Sequence, residues 1–407
     1  MRNYSYEEVA GMHSELMQAA YFAFAKEHSW PPDLFAGGWR EIEADLEKAL
    51  RPWYNLPDPK VVKEVESLFK QLVGSLATGG SAEGTSIGTS LGIIKNRLPD
   101  MRGATIETFK TGVLESLPEV VENLHAAALL ASATVETEAA LFKEAREEFA
   151  ILFTQAFDAF EKRGSGGETS GLQIVLQILA VGFSAATAAV SGGATVALTV
   201  VAGTTGAAAV LAEADAKKRE FFESCDSVSE ITANLVKAIE TISTDLREGE
   251  ESIRKGLERA LSRITYPQDE NAFEHVFQPI ESVGDDTKMV GYEVDTICKE
   301  LDKICETVSK AKVVLENCGF GTSLKRPSEV GMGPSGPTSA LDDYLLQLGQ
   351  LLGDLEQDIR LGKENFNAAY QALVSQDAAV SQSLHATAEK VRVSDISQSI
   401  SRAMGAV

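Results

Sequence analysis

Thr169 to Ala212 reads TSGLQIVLQILAVGFSAATAAVSGGATVALTVVAGTTGAAAVLA, a run without a charged residue in a chain of net charge −23. Ser191, Gly192 and Gly193 divide it into two arms, Gly171 to Val190 and Ala194 to Ala212. Each arm is about 20 residues, about 30 Å as a helix, which matches the hydrocarbon thickness of a bilayer. The Gly-Gly pair admits the positive φ angles that a tight reversal needs. The stretch therefore predicts an apolar helical hairpin with its turn at residues 191–193. Its membrane-facing side chains would be Leu172, Ile174, Val175, Leu176, Ile178, Leu179, Val181, Phe183 and Val190 in the first arm. In the second arm they would be Val196, Leu198, Val200, Val201, Val210 and Leu211.

Basic residues stand at both ends of this run. Lys162 and Arg163 precede it, and Lys217, Lys218 and Arg219 follow it. In a hairpin the two clusters come to the same side, at the height of anionic lipid headgroups. Both arms are rich in Gly, Ala, Ser and Thr. Small residues let helices approach closely in lipid, as in Gly203-x-x-x-Ala207 and Ser184-x-x-x-Ala188. The same composition suits a hairpin buried permanently in a helical core, which is the competing reading.

Outward from the hairpin, the helix signals are long. Ser116-Leu-Pro-Glu119 has the form of a capping box with proline in the first turn, and it predicts a helix from there to about Arg163. Leu117, Val120, Leu124, Leu141, Phe149, Leu152 and Phe160 mark its apolar face. A second long helix is expected from Glu213 to Arg263, with Leu235, Ile239, Ile242, Leu246, Ile253 and Leu257 as its stripe. Tyr266-Pro267 ends it. Val290, Val294, Ile297, Leu301, Ile304, Val308, Ala311 and Leu315 then alternate spacings of four and three. Leu341, Leu345, Leu348, Leu352, Leu355 and Ile359 repeat the pattern, with Phe366, Tyr370 and Leu373 beyond. A 3.5-residue period implies left-handed supercoiling against neighbouring helices. Residues 319–339 read as a long loop, and the tail from Val391 as a short frayed end.

The N-terminal part is shorter in rhythm. Residues 6–28 and 39–51 read as helices joined by HSWPPDLFAGGW, and all three tryptophans, Trp30, Trp39 and Trp53, fall near that loop. Asp58 reads as an N-cap with Pro59 at the first helical position, opening a helix to about Leu76. The Gly/Ser-rich residues 79–92 read as a flexible linker, followed by a helical turn or two from Ile106 to Ser116. No period-2 alternation marks a sheet. The fold expected is all-α, an elongated antiparallel bundle of long coiled-coil helices around a central apolar hairpin. Residues 1–103 would be N-terminal helices packing on the bundle, and 104–168 would hold one long bundle helix. Residues 169–212 would form the insertion head, and 213–407 the tail.

Composition excludes some functions. The acidic balance argues against nucleic-acid binding, which needs basic patches. Acidic residues in MRNYSYEEVAGMHSELMQ occupy the place of a signal-peptide apolar region, so a cleaved secretory signal is not expected. Cys225, Cys298, Cys305 and Cys318 form no CxxC pair and read as reduced core residues. His13, His28, His125, His275 and His385 are scattered and match no metal spacing. GxSxG occurs at Gly84–Gly88 and Gly88–Gly92, but no strand precedes either match, as a nucleophile elbow requires. The paired carboxylates Glu147 with Glu148 and Glu250 with Glu251 read as solvated helix faces. No catalytic residue, metal or cofactor is assigned, and the chain is not expected to be an enzyme.

The long helix 116–163, the uncharged hairpin 171–212 and the long helix 213–263 together resemble the layout of α-helical pore-forming toxins, the cytolysin A and haemolysin BL group with its two-component relatives. The heptad helices 288–317 and 340–390 extend the resemblance to most of the chain. It implies a soluble form that shields the hairpin, release without a cleaved signal peptide, and insertion of the hairpin into a lipid membrane as protomers self-oligomerise. Some members of the group act only with a second toxin component. Two other readings compete. Trp39-Arg40-Glu41 and Tyr54-x-x-x-Asp58 partly match the turn and signal of type VII secretion substrates, which are secreted helical effectors. The heptads alone would also suit an intracellular coiled-coil scaffold.

Overall fold

In the computed structural model, the described residues are 4–28, 36–77, 86–166, 175–177, 218–220, 227–265, 288–319 and 324–404. The protein is all-α, as the periodicities require. In chain order the helices are α1 Tyr6–Gly11, α2 His13–His28, α3 Ala36–Leu50, α4 Val62–Leu76, α5 Ser86–Arg97, α6 Ala104–Lys110, α7 Leu117–Gly164, α8 Val228–Thr265, α9 Gly291–Leu315 and α10 Thr338–Met404. One three-residue antiparallel pair joins β1 Val175–Gln177 to β2 Lys218–Glu220, with Leu176 opposite Arg219.

Local chemistry explains most boundaries. Ser5 caps α1 in a full capping box with Glu8. Asp58 accepts from the Lys60 N–H with Pro59 beside it, and this opens a single 3-10 turn that runs into α4. The residues 79–92 expected as linker are helical from Ser86 onward. Ile87, Leu91 and Ile94 bury on one face of α5, and that burial overrides the glycines between them. Ser116 does not start a helix. A π-helical turn over Thr111–Ser116 joins α6 to α7 without a break. Such a widened turn re-spaces the carbonyls ahead of Pro118, which an unbroken α-helix would clash with. The tail is also longer than expected, since α10 continues to Met404.

The chain divides into two compact units, each assembled from three separate segments. They cut across the four contiguous segments that composition suggests. The first unit is Met1–Gly74, Asn123–Gln268 and Lys312–Gln350. Its core is α7. Ala126, Ala127, Ala128, Ala131, Val135 and Ala139 are all buried, because small side chains let neighbours approach a helix from every side. Below them Phe142, Phe149, Phe153 and Phe160 fill the interior. Helices α2 and α3 pack on α8, which buries Ile231, Leu235, Ile239, Ile242, Leu246, Ile253 and Leu257. Each such side chain contributes about 1.5–3 kcal/mol relative to exposure.

The second unit is Ser75–Glu122, Asp269–Ala311 and Leu351–Val407. Here α9 and α10 run antiparallel. Gly291 lies directly under the Tyr370 hydroxyl, Lys363 pairs with Asp302 at 2.6 Å, and Cys305 Sγ faces the Glu356 carbonyl at 3.8 Å. The expected stripe residues Val294, Ile297, Leu301, Ile304 and Val308 are all buried. Helix α5 joins this pair through Ser90, whose hydroxyl donates to Glu300 Oε2 at 2.7 Å. The Phe109 ring stacks on Phe366 at 4.2 Å. Beyond Leu373, which is half-buried, the described side chains of α10 are solvent-exposed, Val380 and Leu384 among them.

Candidate functional site

Of the apolar stretch, only Val175–Gln177 is described. There the backbone is extended rather than helical, and it pairs with Lys218–Glu220. The remaining proposed insertion residues, the turn at 191–193 and Lys217 lie outside the described residues. Among the described residues no helix is long and apolar enough to cross a membrane.

The base of the stretch is described, and it is a junction of three helices. α7 ends at Gly164, and Gly166 turns the chain with φ 83°, its N–H donating to the Arg163 carbonyl at 3.1 Å. α8 begins at Val228, capped by Ser227, whose hydroxyl accepts from the Glu230 N–H at 3.2 Å. Glu27, at the end of α2, reaches both. Its carboxylate accepts from the Val228 N–H at 2.9 Å and pairs with Arg163 Nε at 3.5 Å. A carboxylate at a helix N-terminus also meets the positive end of the helix dipole. One side chain therefore ties together the two helices between which the apolar stretch is looped, and β1, inside its first arm, pairs with β2, which follows it. Lys162 is exposed, whereas Arg163 is half-buried in this clasp. Lys218 and Arg219 stand in β2.

A second feature lies deeper. Leu324 to Pro337, between α9 and α10, forms a strap over α7 and α8, with Leu324, Arg326 and Val330 buried. The Arg326 guanidinium has no exposed surface. Its Nη2 donates to Glu250 on α8, and its Nη1 lies 3.4 Å from Glu138 on α7 while donating to the Leu324 carbonyl at 3.1 Å. The Phe142 ring faces it at 4.7 Å. The Met332 N–H donates to the other oxygen of Glu250. Ser243 Oγ donates to the Glu329 carbonyl and accepts from the Gly331 N–H, and Arg247 Nε donates to the Gly331 carbonyl at 3.0 Å. Gly331 and Gly336, at φ 57° and 49°, let the strap press against the Glu250 carboxylate and the Arg326 guanidinium. A Cβ at either position would overlap those groups.

Thus Glu250 is no solvated residue. It occupies the core position between Leu246 and Ile253, while Glu251 faces Arg254. The same holds for Glu148, buried beside exposed Glu147. Neighbouring residues on a helix point about 100° apart, so a pair of carboxylates on an amphipathic helix can straddle its boundary. The signal was present in the sequence: Leu246, Glu250, Ile253 and Leu257 keep the four-three spacing.

A third cluster pins the N-terminus to α7. Arg146 bonds Glu7 at 3.0 Å and Asp58 at 3.2 Å, and it lies 4.1 Å over the Tyr6 ring. Tyr6 OH donates to the Trp53 carbonyl and accepts from the Leu56 N–H. Trp53 stacks on Phe149 at 5.6 Å. Trp39 is half-buried against Tyr21 and Phe24, and Trp30 lies outside the described residues. His13 bridges Tyr54 and Glu47 as a packing residue. Among the described residues no group of three His, Cys, Asp or Glu side chains is placed to hold a metal ion. Comparison of the chain with protein-family models, curated proteins and solved structures finds no match.

Proposed function

We propose that this protein is an α-helical pore-forming toxin or toxin component that shields residues 169–212 in its soluble form and inserts them into a target membrane on self-oligomerisation. The observation that carries the reading is the uncharged run itself, two arms of bilayer length between two of the longest charged helices. The junction at its base supports it. With Glu27 tying the end of α7 to the start of α8, the stretch between them can leave as one loop, parting the short β1–β2 pair without unravelling α7 or α8. The arms hold few Leu or Phe, so insertion of a single copy is only weakly favourable, and close packing of small residues between copies supplies the rest. A bilayer replaces the protein as cover for the apolar side chains, at about 1.5–3 kcal/mol each relative to water. The function proposed is non-enzymatic, with lipid and further copies of the chain as partners; a second protein component is an optional addition, as in the two-component toxins the chain resembles.

Leakage of dye-loaded liposomes tests the proposal. The native chain is expected to release dye, with or without detergent pre-treatment, and to form oligomers in detergent. A Val190→Asp/Val201→Asp variant is expected to lose at least tenfold in leakage rate with unchanged circular dichroism. Absence of both leakage and oligomers, alone and with co-purified proteins from the source, would overturn it in favour of a scaffold whose hairpin stays in its core.

A further inference from the structure

We infer that Glu138, Glu250 and Arg326 form a proton-held latch that fixes the Leu324–Pro337 strap onto α7 and α8 and loosens as the solution becomes more alkaline. The inference goes beyond the proposed function and stands whether or not residues 169–212 enter a membrane.

Two carboxylates and one guanidinium meet where none has solvent-exposed side-chain surface. With both glutamates ionised the cluster carries a net negative charge in a dry interior, where an uncompensated charge is costly. One bound proton makes it neutral. The geometry says which carboxyl holds it. Glu250 is the better-satisfied anion, taking a bond from Arg326 on one oxygen and from the Met332 N–H on the other. Glu138 makes no hydrogen bond of full geometry on either oxygen, and its Arg326 contact is the longer one at 3.4 Å.

The titration behaviour agrees. Burial, and next the Glu250 carboxylate, push the Glu138 carboxyl up to about 8, with Arg326 opposing. Burial also raises Glu250, against the pull of Arg326 and the Met332 N–H. The charged groups acting on Glu138 are therefore Glu250 from α8 and Arg326 from the strap. On α4, Glu66 and Lys70 act on Glu136 of α7, and on α8 Arg247 is directed to the Gly331 carbonyl. On α10, Tyr344 donates to the Ala127 carbonyl of α7.

A carboxyl raised in the closed state binds a proton that it releases on opening. The closed latch is therefore fully stabilised below the ordinary glutamate range, and that stabilisation is lost as pH rises through the raised value. Within this window, one released proton makes opening about tenfold more favourable per pH unit, and the effect levels off above it. Because the strap grips the two helices that flank the apolar stretch, its release frees contacts on both at once.

Hydrogen exchange of the full chain between pH 5.5 and 8.5, corrected for intrinsic chemical exchange, reads the strap directly through the Val330, Gly331, Met332 and Gly333 amides. Opening is expected to rise at least tenfold between pH 6 and pH 8 in the native chain, and to lose that slope in Glu138→Gln. A flat profile in the native chain, or an unchanged slope in the variant, would overturn the latch. Infrared titration of the native chain is independent of how the variant folds. A buried protonated-carboxyl stretch at pH 7 that disappears by pH 10 is expected, and its absence at pH 7 would equally overturn the inference.

Discussion

Replacing Arg326 by methionine keeps most of the buried volume and removes the only cation of the cluster. Glu250 then has no counter-charge, and the protein has two options. It can bury the anion alone, which costs about 3–5 kcal/mol when one partner of a buried pair is removed. It can instead protonate Glu250, which at pH 7 means holding a proton about 2.7 pH units above the ordinary glutamate value, or about 3.7 kcal/mol. The second route caps the loss. It also makes the loss depend on pH, because protonation at pH 5 costs only about 1 kcal/mol. Glu138 adds little, since it already holds its proton in the native cluster. The three tryptophans all fall within Met1–Gly74, part of the first unit, so tryptophan fluorescence during urea unfolding reports on the unit that holds the cluster. With a slope of about 3 kcal/mol per molar urea, the midpoint should fall by about 1 M at pH 7 and by about 0.3 M at pH 5. Adding Glu250→Leu to the variant should recover part of the loss, because the charge leaves with its partner. A shift under 0.3 M at pH 7, or equal shifts at both pH values, would refute the argument that Arg326 compensates a buried anion.

Gly336→Ala places a methyl group against the Arg326 guanidinium at a φ of 49°, so it should destabilise by about 2 kcal/mol or more, whereas Gly333→Ala, with open contacts at φ 90°, should show only the backbone strain of about 1 kcal/mol. Comparing their thermal midpoints checks the order. Trp53→Ala leaves a cavity against Phe149 and should cost about 3–5 kcal/mol in urea unfolding, with loss of near-ultraviolet dichroism. The buried Cys318 thiol is pushed up to about 12 by burial alone. Iodoacetamide at pH 8 should therefore label it at least 100-fold more slowly in the native chain than in urea, as read by peptide mass spectrometry. Comparable rates would place it at the surface.

Where a feature was local, the chain announced it. The Asp58-Pro59 start of α4, the end of α7 at Gly164 and the end of α8 before Tyr266-Pro267 all follow from capping, from proline chemistry and from the edges of apolar periodicity. The stripe of α9 could be named residue by residue, because its spacing repeats over many turns. Composition misled where burial outweighed propensity. Seven residues of the Gly/Ser-rich linker became helix because Ile87 and Leu91 found an interior. The pair Glu250 and Glu251 looked solvated because charge patterning treats both residues alike, whereas helix geometry turns one of them inward.

By itself, then, the sequence determined an all-α protein, the core face of its long helices, and the uncharged run between α7 and α8. Each of these rests on interactions spanning at most a few turns, which one strand of text displays. The tertiary structure alone decided that α7 is buried on every side through much of the first unit, that Glu27 clasps Arg163 and the start of α8, and that Arg326 meets Glu138 and Glu250 in one dry cluster, its single charge compensating Glu250. Those partners lie between 76 and 201 residues apart, and nothing in a local pattern says which distant side chain will share a low-dielectric interior with a given carboxylate. Only folding brings the opposite charges together, and only their joint removal from water makes the pairing matter.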